Sequence, residues 1–233
     1  MSSDVAPQVQ VALEPLLKVQ RLGVFTDIDG TISPIAPTPA AAVVDSACRA
    51  ALQRLVSTSA RVAAVSGRAA ADAQAMVGLA GLRYIGNHGL EWWADGVTMP
   101  APSAVPYIAA VAAALAALES YDLPEGVLIE NKGVTASVHY RLAADQTAAA
   151  ALLGAWLAAI CQEHGLRLWP GRMIFELRPP LQLNKGSALA DLLRADALDG
   201  AIFLGDDTTD VDGFMTLHYA RTTGLQTLAI GVL

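Results

Sequence analysis

Short apolar runs separated by helical patterns fill the first part of the chain. Residues 22–26 form a continuous apolar run, which predicts a buried strand, and the runs at 61–67 and 82–89 predict two more. Between these runs, residues 47–59 and 70–81 have the spacing of apolar side chains that is typical of helices. This alternation of strands and helices favours a parallel sheet with crossover helices.

The pattern changes after Pro100. Residues 104–120 and 144–164 predict two long, alanine-rich helices, and each of them is followed by a pair of apolar runs. The pair at 126–142 surrounds the tripeptide Asn-Lys-Gly, and the pair at 166–179 surrounds Pro-Gly, so both pairs indicate hairpins. This order of helix, hairpin, helix and hairpin indicates a separate α+β module.

The first pattern returns at Asn184. Residues 184–198 predict a helix, residues 201–207 a buried strand that ends on two aspartates, and residues 225–233 a last apolar run. We therefore predict an α/β protein whose parallel-sheet core is interrupted by an inserted α+β domain. The predicted core comprises residues 1–103 and 181–233, and the inserted domain comprises residues 104–180.

Composition supports a folded protein and limits its partners. The chain of 233 residues is 54% hydrophobic and 16% charged, which supplies ample material for a buried core. Its formal net charge of -7 argues against nucleic acid or an anionic membrane surface as the main partner, because both need a basic face. A small phosphate ester in a locally positive pocket remains compatible with this charge.

Three features of the sequence bear on its location. The first residues, MSSDVAPQVQ, lack the basic start and apolar run of a signal peptide. Residues 101–118 are mostly alanine with two early prolines, so we expect a helix of a soluble domain there rather than a membrane span. Cys48 and Cys161 lack metal-ligand spacing and predict reduced core thiols. We therefore expect a cytoplasmic protein. We also expect this protein to be a monomer.

Four of the predicted strands end on polar clusters. The carboxyl ends of parallel strands meet at one edge of a sheet, which is where open α/β sheets bind their ligands. Several clusters at the same edge therefore predict a functional site. The clusters are Asp27 with Asp29, Ser66-Gly67-Arg68, Asn87-His88-Gly89, and Asp206 with Asp207 and Asp210.

The acidic clusters predict a metal site. Their five aspartates would repel one another strongly at low effective dielectric. A hard divalent cation with oxygen ligands relieves this repulsion, and Mg²⁺ is the candidate that takes few carboxylates and keeps waters. Taken alone, Asp27 and Asp29 also suit a turn or a helix cap, and the Asp206 cluster also suits a helix amino-terminus. Neither simpler interpretation explains both sets at one predicted edge.

The residue types at this edge predict phosphoryl transfer. A bound cation lowers the repulsion between a phosphate and a carboxylate nucleophile. Asp27 is the candidate nucleophile, which would form an aspartyl-phosphate, and Asp29 is the candidate acid and base for the leaving alcohol and the attacking water. Lys185 and Ser66 are candidates for holding the phosphoryl oxygens.

Four segments, in order, resemble the motifs of haloacid dehalogenase-type phosphatases: DIDGT, SGR, NKG and GDDTTD, which begin at Asp27, Ser66, Asn184 and Gly205. The resemblance spans nearly the whole chain and implies a Rossmann-like core with Mg²⁺ as cofactor. The site residues that it implies are the catalytic Asp27, Asp29, Ser66 and Lys185, the metal ligands Asp27, Asp29 (through its backbone carbonyl), Asp206 and Asp207, and the supporting Thr31, Gly67, Arg68 and Asp210.

A finer resemblance, to trehalose-6-phosphate phosphatases, rests on NHGLEW, ENK, HYR and PGRMIFELRP as well as GDDTTD. It implies that the inserted domain is a cap of the C2 type that contacts the sugar. The chain departs from the subfamily at Val211, where a glutamate is usual, and at the final AIGVL, beyond which the subfamily usually continues. The substrate-binding candidates that this resemblance implies are Asn87, His88, Glu130, Lys132, His139, Arg141, Arg172 and Glu176.

The function implied by the resemblance is Mg²⁺-dependent hydrolysis of trehalose-6-phosphate to trehalose and phosphate. The nearest alternative is a related phosphatase for another sugar phosphate, such as a glucosyl- or mannosyl-glycerate phosphate or sucrose phosphate. A phosphotransferase or mutase is a further alternative. A different class is a catalytically silent domain that binds or regulates a synthase, which predicts loss of the nucleophile or the acid, whereas Asp27, Asp29 and Lys185 are all present.

Overall fold

The computed structural model describes residues 7–233. Residues 1–6, the first part of the segment MSSDVAPQVQ, lie outside the described residues, and so does that part of the prediction made from it. The chain divides into two compact units. The larger unit comprises the described residues up to Thr98 together with Leu183–Leu233, and the smaller unit comprises Met99–Gln182. The sequence patterns place the boundaries at 103/104 and 180/181, a few residues inside the smaller unit.

Both units combine strands and α-helices. The strands, in chain order, are β1 (Leu22–Thr26), β2 (Arg61–Val65), β3 (Arg83–Gly86), β4 (Glu91–Ala94), β5 (Val97–Pro100), β6 (Leu128–Asn131), β7 (Ala136–His139), β8 (Arg167–Gly171), β9 (Ile174–Arg178), β10 (Gly200–Gly205) and β11 (Gln226–Gly231). The α-helices are α1 (Pro7–Leu13), α2 (Ser46–Thr58), α3 (Ala70–Val77), α4 (Ile108–Leu118), α5 (Gln146–Glu163), α6 (Lys185–Ala195) and α7 (Val211–Thr222). The sequence patterns did not predict α1, α7, β4 or β5.

A sheet in the order β11-β10-β1-β2-β3-β4-β5 forms the centre of the larger unit. Its first five strands are parallel, as the alternation of strands and helices predicts. The prediction missed the edge of the sheet, where β4 runs antiparallel to β3 and β5 follows. The turn Asp95-Gly96 between β4 and β5 has φ angles of 49° and 87°, and this dipeptide favours hairpin turns that need a positive φ.

Both faces of the parallel sheet are buried, which explains why its strands are continuous apolar runs. Along β2, Val62 and Ala64 belong to the core layer that includes residues of α2 and α3. Ala63 and Val65 belong to the opposite layer, which includes residues of α6 and α7. Side chains alternate between the faces of a strand, so each layer receives every second residue of β2.

The smaller unit contains an antiparallel sheet in the order β6-β7-β9-β8, with a core that α4 and α5 share. The sequence-based placement of the second hairpin turn at Pro-Gly is wrong, because Pro170 and Gly171 end β8 and the turn lies at Arg172 and Met173. Met173 has a φ of 63°. Pro170 is tolerated because β8 is an edge strand, where a missing backbone N–H leaves no ladder bond unmade.

The alanine-rich stretch at 101–118 forms a 3-10 turn, Val105–Tyr107, followed by α4. Val111, Ala114 and Leu118 of α4 are buried in the core of the smaller unit. Each helix within residues 7–233 is too short or too polar to cross a lipid bilayer.

Candidate active site

The loop after β1 presents Asp27 at the carboxyl edge of the parallel sheet. The backbone N–H of Asp27 donates to the carbonyl of Leu204 on β10 over 2.8 Å, which continues the ladder between the two strands. Ile28 is buried in the core, and its carbonyl accepts the N–H groups of Ile32 and Ser33, which closes the loop into a tight turn. The sheet and this turn therefore fix the position of Asp27, which is 4% exposed.

Lys185 is the first residue of α6 and points into the same edge. Asn184 caps this helix with a capping box. Its side chain accepts a hydrogen bond from the N–H of Ser187, and the hydroxyl of Ser187 accepts one from the N–H of Asn184. Lys185 is 2% exposed, and its Nζ lies 2.9 Å from Oδ1 of Asp27 and 2.7 Å from Oδ1 of Asp210. The three side chains form one buried charged cluster.

The charges of this cluster depend on one another. Burial raises the pKa of Asp27 to about 7, against the opposing attraction of Lys185. Burial also opposes the charge on Lys185, but the carboxylates of Asp27 and Asp210 outweigh it and hold the pKa of Lys185 above its ordinary value. The two carboxylates therefore favour the charged form of Lys185 beside the candidate nucleophile.

Asp210 supports the loop after β10 from inside. One of its oxygens, Oδ2, accepts hydrogen bonds from the backbone N–H groups of Asp206 and Asp207 over 3.0 and 3.1 Å. The other, Oδ1, accepts a hydrogen bond from Nζ of Lys185. A Cβ at Gly205 would overlap the Asp210 carboxyl group, so this position accommodates glycine alone without a shift. Asp210 thus links the loop to the buried lysine.

Asp206 and Asp207 point to different surroundings. Thr31 donates its hydroxyl to Oδ1 of Asp206 over 3.1 Å, and partial burial raises the pKa of Asp206. Oδ1 of Asp207 accepts the N–H and the hydroxyl of Thr209, both over 2.7 Å. Burial works against the ionisation of Asp207, but the bonds from Thr209 and the charge of Lys185 outweigh it and lower the pKa of Asp207.

Three carboxylates of the larger unit lie close enough to share a cation. One oxygen from each of Asp27, Asp206 and Asp210 lies within 4.8 Å of the other two. Asp207, a metal ligand in the sequence-based prediction, is outside this group. The group joins the loops after β1 and β10, which are neighbouring strands of the sheet, and both loops carry polar clusters that the sequence places at one edge.

Ser66, Gly67 and Arg68 follow β2 and complete this edge. Ser66 is buried, and its hydroxyl oxygen accepts the N–H of Arg68 over 3.2 Å. The guanidinium of Arg68 grips the carboxylate of Asp29 with two hydrogen bonds, from Nε to Oδ2 over 2.6 Å and from Nη2 to Oδ1 over 2.7 Å. The structure therefore pairs Asp29, the candidate acid and base, with Arg68.

A left-handed turn after β3 holds the Ser66 loop in place. Asn87 and His88 have φ angles of 48° and 59° and are both buried. The N–H of Asn87 donates to the carbonyl of Arg68, and the N–H of His88 donates to the carbonyl of Ser66. These two substrate-binding candidates thus hold the Ser66 loop through backbone hydrogen bonds. Their positive φ angles are a strained backbone conformation of the kind that often occurs at functional sites.

Glu91, at the start of β4, is a buried acid that the sequence analysis did not single out. Its Oε1 accepts the N–H of Ala70 at the amino-terminus of α3 over 2.7 Å, where Ala69 offers no side-chain cap. In the sequence, a glutamate before two tryptophans at the start of a strand gives no signal of burial.

The remaining substrate candidates lie in the smaller unit. Nζ of Lys132 is 3.7 Å from Oε2 of Glu130 and 3.6 Å from Oε1 of Glu176, and Nε2 of His139 is 3.0 Å from Oε2 of Glu130. Glu130, Lys132, His139 and Glu176 therefore form a cluster on the antiparallel sheet. In addition, Arg178 forms an ion pair with Glu176 and covers the half-exposed ring of Trp169 at 5.4 Å.

Arg141, just after β7, contacts Arg172 in the turn between β8 and β9. Nη2 of Arg141 donates to the carbonyl of Arg172 over 3.3 Å, and Arg172 is exposed in the turn between β8 and β9. The sequence-based set of substrate candidates in this unit thus divides into a clustered group and this pair.

Comparison with solved structures identifies the fold. The C-terminal domain of trehalose-6-phosphate phosphatase from Candida albicans superposes with a TM-score of 0.77 at 22% identity, covering 95% of this chain and 87% of that one. A haloacid dehalogenase-like hydrolase from Bacteroides thetaiotaomicron gives a TM-score of 0.54 at 15% identity, covering 84% of this chain and 86% of that one. These likenesses confirm the predicted haloacid dehalogenase-type α/β fold.

Sequence comparison identifies the family. The chain is 38% identical to the trehalose-phosphate phosphatase of Mycobacterium marinum over 208 residues, which are 85% of this chain and 52% of that protein. The chain thus spans about half the length of this relative. The model of the trehalose-phosphatase family matches residues 25–230, which include both units. The chain therefore belongs to the trehalose-phosphatase family.

Proposed function

We propose that this chain is a Mg²⁺-dependent phosphatase that hydrolyses trehalose-6-phosphate to trehalose and phosphate. The observation that carries the proposal is the buried carboxylate of Asp27, held 2.9 Å from the ammonium of Lys185 at the carboxyl edge of the sheet. A nucleophile beside a fixed cation suits attack on a phosphate ester. The name of the mycobacterial relative, trehalose-phosphate phosphatase, supports the choice of substrate.

The side chains at this edge fit Mg²⁺. Asp27, Asp206 and Asp210 offer oxygen atoms alone, which are the ligands that hard divalent cations prefer. Burial raises the pKa of Asp27, and the partial burial of the more exposed Asp206 raises its pKa in the same direction, so both surroundings penalise a negative charge. A cation would relieve that penalty. Asp27 and Asp206 would hold it, and when bound it would neutralise charge on the phosphate.

The residues of the larger unit divide the reaction between them. In the first half-reaction a carboxylate oxygen of Asp27 bonds to phosphorus, the bond from phosphorus to the sugar oxygen breaks, and Asp29 gives that oxygen a proton. In the second, water attacks phosphorus, Asp29 takes its proton, and the bond to Asp27 breaks as phosphate leaves. Lys185 and Ser66 hold the phosphoryl oxygens throughout.

We assign the choice of sugar to the smaller unit, which acts as a cap. Glu130, Lys132 and Glu176 place two carboxylates around one ammonium on the face of a sheet, and such groups suit a sugar that offers several hydroxyls. A cap of the C2 type would also exclude water during the first half-reaction. The same cluster on a related phosphatase would accept another glycosyl phosphate, so the substrate needs a direct test.

We expect a monomer that works in a reducing compartment. Among the described residues Cys48 and Cys161 are both free thiols, one in each unit. Burial raises the pKa of the Cys161 thiol to about 11, which keeps it protonated and unreactive. Light scattering on the purified protein tests the oligomeric state.

Phosphate release from a panel of sugar phosphates, with and without Mg²⁺, tests the proposal. We expect preference for trehalose-6-phosphate and loss of turnover when EDTA removes the metal. Preference for a glucosyl-glycerate, mannosyl-glycerate or sucrose phosphate would support the proposed phosphatase reaction and reject trehalose-6-phosphate as the substrate. If the folded protein releases phosphate from none of these esters, the result would favour a catalytically silent binding domain over an enzyme.

A further inference from the structure

A row of four side chains crosses the sheet of the smaller unit. Directly opposed residues of an antiparallel sheet point to the same face. The opposed pairs that form the row are Glu130 with Ser137, Ser137 with Glu176, and Glu176 with Trp169. Val138, which follows Ser137 and points to the other face, belongs to the core that α4 and α5 share. The row therefore lies on the face of the sheet that these two helices do not cover.

Trp169 stands at one end of the row, on β8, which is the edge strand of the sheet. Trp169 is 50% exposed, whereas tryptophan is highly buried on average. The guanidinium of Arg178 lies 5.4 Å from the centre of the indole ring, and Nε of Arg178 donates to Oε2 of Glu176 over 2.8 Å. The ring thus has a fixed neighbour on the side of β9 and keeps exposed surface on which a ligand can stack.

Ser137, in the middle of the row, carries a buried hydroxyl. Ser137 is fully buried, and its Oγ has no hydrogen-bond partner among the described residues. Nζ of Lys132 lies between Glu130 and Glu176, which are the residues on either side of Ser137. Buried hydroxyls usually have a partner, because an unsatisfied one destabilises the fold. A ligand hydroxyl bound between the two carboxylates would supply that partner.

The two ends of the row offer the two kinds of contact that a sugar can make. A pyranose ring has hydroxyl groups around its edge and C–H groups on its faces. Carboxylates and an ammonium bind hydroxyls, whereas an aromatic ring packs against a C–H face. Glu130 and Trp169 are three strand spacings apart, which is about 14 Å. This distance exceeds the width of one pyranose ring, so a disaccharide is the smaller sugar that contacts both ends.

We propose that Trp169, held in place by Arg178, is the stacking platform for one ring of the disaccharide, while Ser137 and the cluster around Lys132 bind hydroxyls of the other. The inference rests on the proposed function and adds Trp169, Arg178 and Ser137 to its sugar-binding residues. The platform contributes to sugar binding, whereas the chemistry at phosphorus belongs to the larger unit. Loss of the ring should therefore change KM and leave kcat unchanged.

The test compares Trp169→Leu, Trp169→Phe and Ser137→Ala with wild type. Steady-state kinetics on trehalose-6-phosphate and on glycerol 2-phosphate give kcat and KM for an ester with two sugar rings and for one with none. Titration calorimetry with trehalose measures sugar binding without catalysis. Tyr219→Leu is the matched control, because Tyr219 is an exposed aromatic residue on α7 of the larger unit, outside the candidate site.

We expect Trp169→Leu to raise KM for trehalose-6-phosphate about 3- to 10-fold at unchanged kcat, as loss of an aromatic contact does. Its KM for glycerol 2-phosphate should stay at the wild-type value, and its affinity for trehalose should fall by the same factor. Trp169→Phe keeps a ring and should recover part of this affinity. Tyr219→Leu should match wild type.

Ser137→Ala should weaken trehalose binding about 2- to 10-fold, the effect of one lost hydrogen bond. It should not lower the melting temperature, because the Ser137 hydroxyl makes no hydrogen bond to a described residue. A lower melting temperature with wild-type trehalose affinity would make Ser137 a structural residue and remove it from the proposed site.

Three results for the ring would overturn the inference. A lowered kcat on both esters would give Trp169 a role in the fold or the chemistry. An equal rise in KM for both esters would make its effect independent of the sugar, and unchanged trehalose binding would remove it from the site. If wild type hydrolyses neither ester, the proposed function fails, and calorimetry still decides the inference: trehalose binding that Trp169→Leu weakens supports it, and absence of binding by wild type overturns it.

Discussion

Replacing Gly30 by alanine tests whether Asp206 must keep its position for a cation to bind. Gly30 has a φ of 91°, and a Cβ there would overlap the carboxylate of Asp206. The overlapped atoms are the far end of an exposed side chain, so we expect the carboxylate to turn away while the fold survives. Gly96 offers a matched control, because its φ is 87° and an added Cβ would meet no described atom within 4 Å.

The two alanine variants should lose similar stability and differ in metal binding. Each places a Cβ at positive φ, which costs about 1–2 kcal/mol in a left-handed conformation. Gly30→Ala alone also displaces Asp206 from the group it forms with Asp27 and Asp210. Loss of support for a ligand typically lowers metal affinity about 10- to 100-fold. That factor corresponds to about 1.4–2.7 kcal/mol of binding free energy.

Titration calorimetry with Mg²⁺ measures the affinity, and urea unfolding without metal measures the stability. We expect weaker Mg²⁺ binding by Gly30→Ala than by Gly96→Ala, and free energies of unfolding that agree to within about 1 kcal/mol. Equal Mg²⁺ affinities would refute the reasoning, because Asp206 would then tolerate displacement. A Gly30→Ala variant that fails to fold without metal would refute it as well.

Three further predictions concern single side chains. Asp27→Asn should abolish phosphate release and leave the melting temperature near wild type, because it removes the nucleophilic oxygen at constant volume; wild-type turnover would contradict it. Glu91→Ala should lower the free energy of urea unfolding by about 1–3 kcal/mol, because the N–H of Ala70 loses its buried acceptor, whereas Glu91→Gln, which keeps an acceptor, should lose less. Asp196→Asn should cost about 1 kcal/mol at neutral pH. The hydrogen bonds from Arg61 hold the pKa of Asp196 below its unfolded value, so this stability is present above the unfolded pKa and is lost as the pH falls through the folded one. The urea stabilities of wild type and Asp196→Asn should therefore converge below about pH 4, and a gap that persists there would contradict the assignment.

The parallel part of the sheet could be predicted because burial on both faces leaves a direct trace in the sequence. A strand such as β2 is apolar at every position from Val62 to Val65, since one core layer takes its even residues and the other its odd ones. The antiparallel edge is harder to recognise, because β4 and β5 are each four residues long and partly exposed. Asp95-Gly96 was the available signal for this hairpin.

The partners of the site residues could not be predicted in the same way. Motif order brings Asp27, Lys185 and Asp210 to one edge, because each follows a strand or begins a helix there. The pairing of Arg68 with Asp29 depends on the course of two loops, which the spacing of apolar residues does not encode. The same holds for the left-handed turn at Asn87, since asparagine tolerates a positive φ without requiring it.

The aspartates at this edge of the sheet are alike in sequence, but they differ in the groups that compensate their negative charge. Asp210 gives one oxygen to two backbone N–H groups and the other to Lys185, so the protein itself compensates its charge. Asp207 is compensated by Thr209, and Asp29 by Arg68. Asp27 and Asp206 retain a burial penalty that their neighbours do not cancel, as their raised pKa values indicate. The proposed Mg²⁺ site would therefore use Asp27 and Asp206, on the loops after β1 and β10, rather than Asp210.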